Sequence, residues 1–410
     1  MYNALFAHRI TAMALPILWI VITLLVITLH RQWWRSRAVR QTLWIVPTVS
    51  LLIVGGWVLA TWYEVEMLAG ILGVAAATLL VVSIALVVSL PFSGVVLVLE
   101  RLVRWLGERG GKAAAGREGA PRSTAEVDMG RRRLVVGGAA AIPAATVLAG
   151  GVGVTASFAD PRFHDVPLTF RTLPPALNGV RVLHLTDIHL GYFHDLRDLE
   201  RIMLSAERAR PDLILLSGDV ADDLTLLPDA LRIINGLGVP TIASLGNHEH
   251  YRGLKEVLRD FDRGPVPLLR DAGMTLKLRN TPLHILGLDD PAAERGAETV
   301  PFLRTALDHA LDGAPSDTFT IAMSHRPRGL DATSLHNIPL TVAGHTHGGI
   351  QIGFAERSVL EPWYSEQYFW GHYTKGESQL YTSAGVGHWF PFRLGCPAEA
   401  PIYVLRQAQG

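Results

Sequence analysis

Five short motifs in the second half of this chain gather the side chains that hold divalent metal ions. They are Asp187-x-His189, Gly218-Asp219, Gly246-Asn247-His248-Glu249, His325 and Gly344-His345-x-His347. Neutral imidazoles, carboxylates and an amide oxygen make up a ligand set for first-row divalent cations. Two such ions about 3.5–4 Å apart need a carboxylate that touches both, and the set holds enough carboxylate and imidazole for two shells. Oxygen ligands suit Mn or Fe and imidazole also suits Zn, so composition does not choose among them. The single cysteine, Cys396, excludes a thiolate zinc site and an intramolecular disulfide. Any one of these pairs is commonplace, whereas all five in order are not.

The elements around the motifs explain why they converge. Short apolar runs at Val180–Leu185, Leu213–Leu216 and Thr241–Leu245 read as buried strands. Helical periodicity follows each of them, at Leu196–Arg208, Leu227–Ile234 and Tyr251–Phe261. Further strands are expected near 276–278, 283–286, 319–323, 340–342, 380–382 and 402–405. Strand–helix alternation with this many strands predicts an α/β domain of two packed β-sheets flanked by helices. Every motif falls just after a predicted strand, where α/β sheets place their ligands.

The first half is different in kind. Uncharged stretches at Thr11–Leu29, Leu43–Trp62 and Leu68–Leu90 are long enough to span about 30 Å of hydrocarbon, and Leu134–Ser157 is a fourth, richer in Gly and Ala. None holds an ionisable residue, which favours an anchor over a transport pathway. Arg31, Arg35, Arg37 and Arg40 after the first span, and the basic run from Arg101 to Arg133, predict cytoplasmic loops. The Tyr63–Glu66 connection, with no basic residue, is expected outside. The expected division is a membrane anchor with three transmembrane helices at 1–100 and a basic cytoplasmic linker at 101–133, flexible around Gly110–Pro121. A fourth transmembrane helix follows at 134–158, then the α/β domain at 160–410, outside the cytoplasm. Gly130-Arg131-Arg132-Arg133 resembles a twin-arginine export signal. Export machinery is therefore an expected partner, and Ser157-Phe158-Ala159 offers a cleavage site. With 37 basic against 37 acidic residues, no bulk charge calls for nucleic acid.

The ordered motifs resemble those of the calcineurin-like metallophosphoesterases, over roughly Leu173 to Arg406. Leu286-Gly287-Leu288-Asp289-Asp290, Pro391-Phe392-Arg393 and Pro397-Ala398-Glu399 extend the likeness to the membrane-associated branch of that family. Ile350 departs from it, since Gln351 would otherwise directly follow the glycines. Position by position, the resemblance implies one ion on Asp187, His189 and His347. It implies a second on Asn247, His325 and His345, with Asp219 bridging. His248 is then no ligand but the residue that contacts the phosphate or protonates the leaving oxygen, while a metal-bridging hydroxide attacks phosphorus in line. The implied activity is hydrolysis of a phosphomonoester, phosphodiester or pyrophosphate.

Arg326 is a candidate phosphate contact. The aromatic cluster at Trp363, Tyr364, Tyr368, Phe369, Trp370 and Tyr373, with Trp389, Phe390 and Phe392, is either core filling or a greasy wall beside the metals. In the second case Trp370 and Trp389 would contact an acyl or isoprenoid chain, and the substrate would be lipid-linked. The rival expectations are a hydrolase of soluble nucleotides or sugar phosphates, and a silent membrane sensor that keeps the fold. His184, inside the first strand, is expected to be packed; His194 and His250 are candidates to line the pocket.

Overall fold

The computed structural model describes residues 2–63, 65–114, 124–292, 298–363 and 368–408. It divides into two compact units, Met1–Val154 and Thr155–Gly410. The expectations at Glu64, Arg117, Arg122 and Tyr364 lie outside the described residues.

The first unit is helical: α1 (Tyr2–Leu29), a short α2 (Arg31–Trp34), α3 (Arg37–Trp62), α4 (Glu66–Ala114) and most of α5 (Thr124–Ser157). Among the described residues, three stretches are long and apolar enough to cross a membrane: Arg37–Trp62, Met67–Leu106 and Leu134–Ser157. Met13–Leu29 in α1 is apolar but shorter. α1, α3, α4 and α5 each enclose one proline, at Pro16, Pro47, Pro91 and Pro143, a residue more frequent in membrane helices than in soluble ones. Of the basic linker expected at 101–133, the two ends are helical, and most of the stretch expected to be flexible, around Gly110–Pro121, lies outside the described residues. α4 continues through Arg101 to Ala114 and α5 begins at Thr124, so only 115–123 stay undescribed. Glu100 and Arg104 pair across one turn where the apolar run gives way to basic residues, 2.7 Å apart.

The second unit is a sandwich. One sheet has the order β1-β13-β2-β3-β4 and the other β11-β12-β8-β7-β6-β5. In the first sheet β1 (Arg162–Phe170) runs parallel to β13 (Glu399–Gln407). β2 (Arg181–Leu185), β3 (Leu213–Ser217) and β4 (Thr241–Ser244) lie parallel to one another, with β13 antiparallel to β2. In the second, β6 (Thr281–Gly287), β7 (Thr320–Met323), β8 (Leu340–Ala343) and β12 (Ser378–Thr382) are parallel, with β5 (Ala272–Leu278) and β11 (Gly371–Lys375) antiparallel at the edges. A two-residue pair, β9 (Gly353–Phe354) and β10 (Arg357–Ser358), stands apart.

Strands buried on both faces read as continuous apolar runs, and Leu213–Leu216 is one. Its even and odd residues serve different cores. Leu213 and Leu215 join Val182, Leu283, Ile285, Ile321, Leu340 and Tyr403 between the two sheets. Ile214 and Leu216 face α6 (Leu196–Ala209), α7 (Leu227–Asn235) and α8 (Asn247–Arg263). α9 (Thr299–Ala310) covers the outer face of the second sheet through Leu303, Ala306 and Leu307. β1 and the small strands β9, β10 and β11 were not expected. Charged and polar residues interrupt β1 (Arg-Phe-His-Asp-Val-Pro), which lies at one edge of its sheet.

Candidate metal centre

Five parallel strands, β2, β3 and β4 in one sheet and β7 and β8 in the other, point their carboxyl ends at one edge of the sandwich. Asp187 and His189 follow β2, Asp219 follows β3, Asn247 opens α8 after β4, His325 follows β7, and His345 and His347 follow β8. Each lies within four residues of its strand's end. Five of the seven hold left-handed backbone: Asp187 (φ 53°), His189 (52°), Asp219 (54°), His345 (69°) and His347 (46°). Non-glycine residues rarely adopt that region, and such strain gathers at functional sites.

Three groups of donor atoms result among the described residues: Asp187, His189 and His347; Asp187, Asp219 and His325; and His189, Asp222 and His248. Nε2 of His189 and Nε2 of His347 are 3.1 Å apart, and Asp187 Oδ1 is 3.3 Å from the latter and 3.9 Å from the former. In the second group His325 Nε2 lies 3.2 Å from Asp219 Oδ2, which also reaches to 3.7 Å from His189 Nε2. The side chains of these first two groups are buried. Ligand atoms at about 2.0–2.2 Å from a shared ion stand roughly 3–3.5 Å apart, so the 3.1 and 3.3 Å separations at His347 and the 3.2 Å separation of His325 from Asp219 suit a shared cation.

Hydrogen bonding makes the same case. His325 Nδ1 donates to the Ser217 carbonyl at 2.8 Å, which turns Nε2 toward Asp219. A neutral ring there would oppose lone pair to carboxylate, so the position calls for a proton or a metal ion. Without an ion, burial lowers the His325 pKa, but Asp219, Asp187 and Asp290 outweigh it and raise the value to about 10. Asn247 Oδ1, His325 Nε2 and His345 Nδ1 are buried with no hydrogen-bond partner among the described residues. Orphaned buried acceptors are costly and call for an explanation. These three residues are the set implied for a second ion, and the donors present fit two divalent cations.

His248 stands in the third group. Its Nδ1 donates to Asp222 Oδ1 at 2.5 Å, and its Nε2 is 3.9 Å from Asp219 Oδ2. Burial opposes its charge, yet Asp219 and Asp222 raise its pKa to about 9, which makes the ring a proton donor. Asp222 was missed in the sequence. It also accepts from Arg252 Nε (3.0 Å) and Nη2 (2.8 Å) and lies 3.4 Å from His189 Nδ1. The signal was present: Asp222 is three residues past Asp219, and Arg252 is one helical turn past His248. Glu249, quoted in its motif without a role, accepts from the backbone N–H groups of Asp219 (2.9 Å), Val220 (2.8 Å) and Gly246 (2.8 Å). It therefore ties the Asp219 loop to the Asn247 loop.

The remaining candidates separate. Arg326 is held by Asp290, with Nε 3.0 Å from Oδ2, and its Nη1 is 3.1 Å from His345 Nε2. It steadies that imidazole. Trp370, expected at a substrate wall, is corrected: it is 3% exposed, packs on Ala384 and Cys396, and donates its indole N–H to Glu399 at 3.0 Å. Trp389 is 54% exposed. His184 bonds Tyr403 Oη (2.8 Å) and Ser217 Oγ (2.6 Å) inside the sheet. His250 pairs with Asp289 at 2.8 Å, and His194 with His388 at 3.0 Å.

Residues 180–349 match the family described as calcineurin-like phosphoesterase. An uncharacterized metallophosphoesterase of Bacillus subtilis (strain 168) is 26% identical over 296 residues, covering 68% of this chain and 98% of that protein. One from Campylobacter jejuni is 30% identical over 241 residues, covering 57% and 61%. A Danio rerio transmembrane protein with a metallophosphoesterase domain is 27% identical over 262 residues, covering 60% and 58%. The match thus spans about three-fifths of the length of the latter two relatives.

Proposed function

From a calcineurin-like phosphoesterase domain at residues 180–349, we propose that this chain is a metal-dependent hydrolase of phosphate esters. The observation that carries the reading is the pair of buried donor groups, Asp187-His189-His347 and Asp187-Asp219-His325, with Asn247, His325 and His345 each holding a buried atom without a hydrogen-bond partner. When bound, two divalent ions supply Lewis acidity that neutralises phosphoryl oxygens and acidifies water. Asp187, His189 and His347 would hold one, Asn247, His325 and His345 the other, and Asp219 both. His248, oriented by Asp222, delivers a proton to the departing oxygen, a contribution worth about 10²- to 10⁴-fold. Glu249 and Arg326 keep the loops and the His345 ring in place. The test is to load the purified full chain with Mn, Fe or Zn and screen phosphomonoesters, phosphodiesters and pyrophosphates. A metal-loaded protein that turns over none of them would leave the silent sensor in its stead.

A finer reading, a lipid-linked phosphoester, rests on aromatic residues beside the site. β1 begins at Arg162, only a few residues after the apolar α5 ends at Ser157. Between them, the Phe158 ring stands edge-on to His388, 5.4 Å between centroids. Tyr192 and Trp389, each next to a ring that packs on His388 or to His388 itself, are exposed. Trp and Tyr favour membrane interfaces, and burying an acyl chain against them would contribute about 25 cal/mol per Å². Comparing kcat/KM in mixed micelles for a long-chain phosphate ester and its short-chain analogue, in wild type and Trp389→Ala, separates this from a soluble substrate. No long-chain preference, or one that survives the substitution, favours soluble nucleotides or sugar phosphates. The outward topology is part of the same reading. Impermeant thiol reagents should label a cysteine on the catalytic surface of intact cells and spare one near Arg37.

A further inference from the structure

Arg393 is among the largest fully buried side chains of the chain, 1% exposed, so it cannot reach a substrate. No carboxylate among the described residues pairs with it. Its guanidinium instead donates to four backbone carbonyls: Nη2 to Ala384 (3.0 Å), Gly385 (3.2 Å) and Gly387 (2.6 Å), and Nη1 to Cys396 (3.3 Å). Three of those carbonyls belong to one loop. The far side of the same loop binds the backbone of the first metal motif. Val386 N–H donates to the Thr186 carbonyl at 2.9 Å and Gly387 N–H to the Asp187 carbonyl at 2.8 Å. The approach is close enough that a Cβ on Gly387 would stand 2.8 Å from the Ile188 carbonyl carbon.

A buried cation is expensive, and a neutral amide side chain offers only two donors. The planar guanidinium carries five donors in a fixed fork, against three rotatable ones on a lysine ammonium, and here it serves four carbonyls. We propose that Arg393 is a positioning residue for the ion site of Asp187, His189 and His347. It braces residues 384–387, and that brace holds Asp187 in the left-handed backbone that turns its carboxylate toward the two imidazoles. The proposal rests on the metal-centre reading above.

The brace bears directly on the Asp187 loop and reaches the second ion site only through the His345 N–H that the Asp187 carboxylate accepts, so the first site weakens more, which gives the test. Mn(II) is titrated into the full chain in nanodiscs, following binding calorimetrically and by electron paramagnetic resonance. Wild type shows an exchange-coupled pair. In Arg393→Gln, affinity at the Asp187 site falls about 10- to 100-fold, the range for residues behind metal ligands. At intermediate Mn(II) the spectrum is then that of an isolated ion on Asn247, His325 and His345. Arg393→Lys lies between the two. Leu231→Ala, a core truncation in α7, lowers stability and keeps the coupled pair. Two wild-type affinities in Arg393→Gln, or parallel loss of both ions, overturns the proposal. If Arg393→Gln does not fold, Arg393→Lys decides by the same criterion. A wild type that binds no coupled pair refutes the metal-centre reading instead, and the two failures are distinguishable.

Discussion

Gly218 is where the Asp219 loop crosses the Asn247 loop backbone to backbone. Its φ is +86°, and a Cβ there would lie 2.5 Å from Gly246 Cα and 2.7 Å from the Leu245 carbonyl carbon. Carbon atoms rest at about 3.5–4.0 Å, so Gly218→Ala must push the loops apart by roughly 1 Å. The left-handed conformation alone costs about 1–2 kcal/mol for a residue with a Cβ. The displacement adds to that, and it separates the shared carboxylate from Asn247. Misplacement of about 1 Å can lower turnover about 10²-fold. Gly238→Ala is the matched control: its φ is +69° and a Cβ there meets nothing within 4 Å. Thermal unfolding, metal content and phosphoesterase turnover are measured on both. The expected result is a modest stability loss in Gly238→Ala with full metal and turnover, and a larger loss in Gly218→Ala with weakened metal and turnover down about 10²-fold. If both variants lose stability alike and both keep metal and turnover, the close packing of the two loops does not set the site.

Asp219→Asn should lose metal and activity together, since this carboxylate faces both donor groups. His248→Ala should keep its metal while kcat falls about 10²-fold or more; elemental analysis beside steady-state kinetics checks both, and loss of metal from His248→Ala would refute the division of roles. The third prediction concerns acid stability. Burial, aided by His325, lowers the His184 pKa from 6.5 to about 3. The unfolded chain protonates this ring near pH 6.5 and the folded one does not. Its contribution is therefore complete above about pH 6.5 and lost as pH falls toward 3, at most about 5 kcal/mol. His184→Phe should be less stable at pH 7 but show a flatter fall in Tm between pH 6.5 and 4; an unchanged slope would contradict the assignment.

The parts of the fold that were legible share a physical cause. Strands buried on both faces are mostly apolar, and the loops after them carry the chemistry, so β2, β3, β4, β7 and β8 could be read with the residues that follow. β1 was not legible because it is an edge strand whose side chains alternate between solvent and core. Its place beside β13 is a pairing across more than 200 residues. The aromatic cluster misled because sequence does not distinguish a buried indole bound to Glu399 from an exposed one; Trp370 and Trp389 differ only in tertiary surroundings. Asp222 and Glu249 sat within the quoted motifs or three residues from them, and their partners become visible only once α8 lies against the Asp219 loop. Arg393 belongs to a motif noticed by resemblance, yet its work is with backbone carbonyls, which leave no trace in residue types.

The most direct test of the central claim is an anomalous difference map from crystals of the full chain grown with Mn(II). The account predicts two peaks about 3.5–4 Å apart, one against Asp187, His189 and His347 and the other against Asn247, His325 and His345, with Asp219 between them. A single peak, or two peaks that leave Asn247, His325 and His345 unligated, would contradict it.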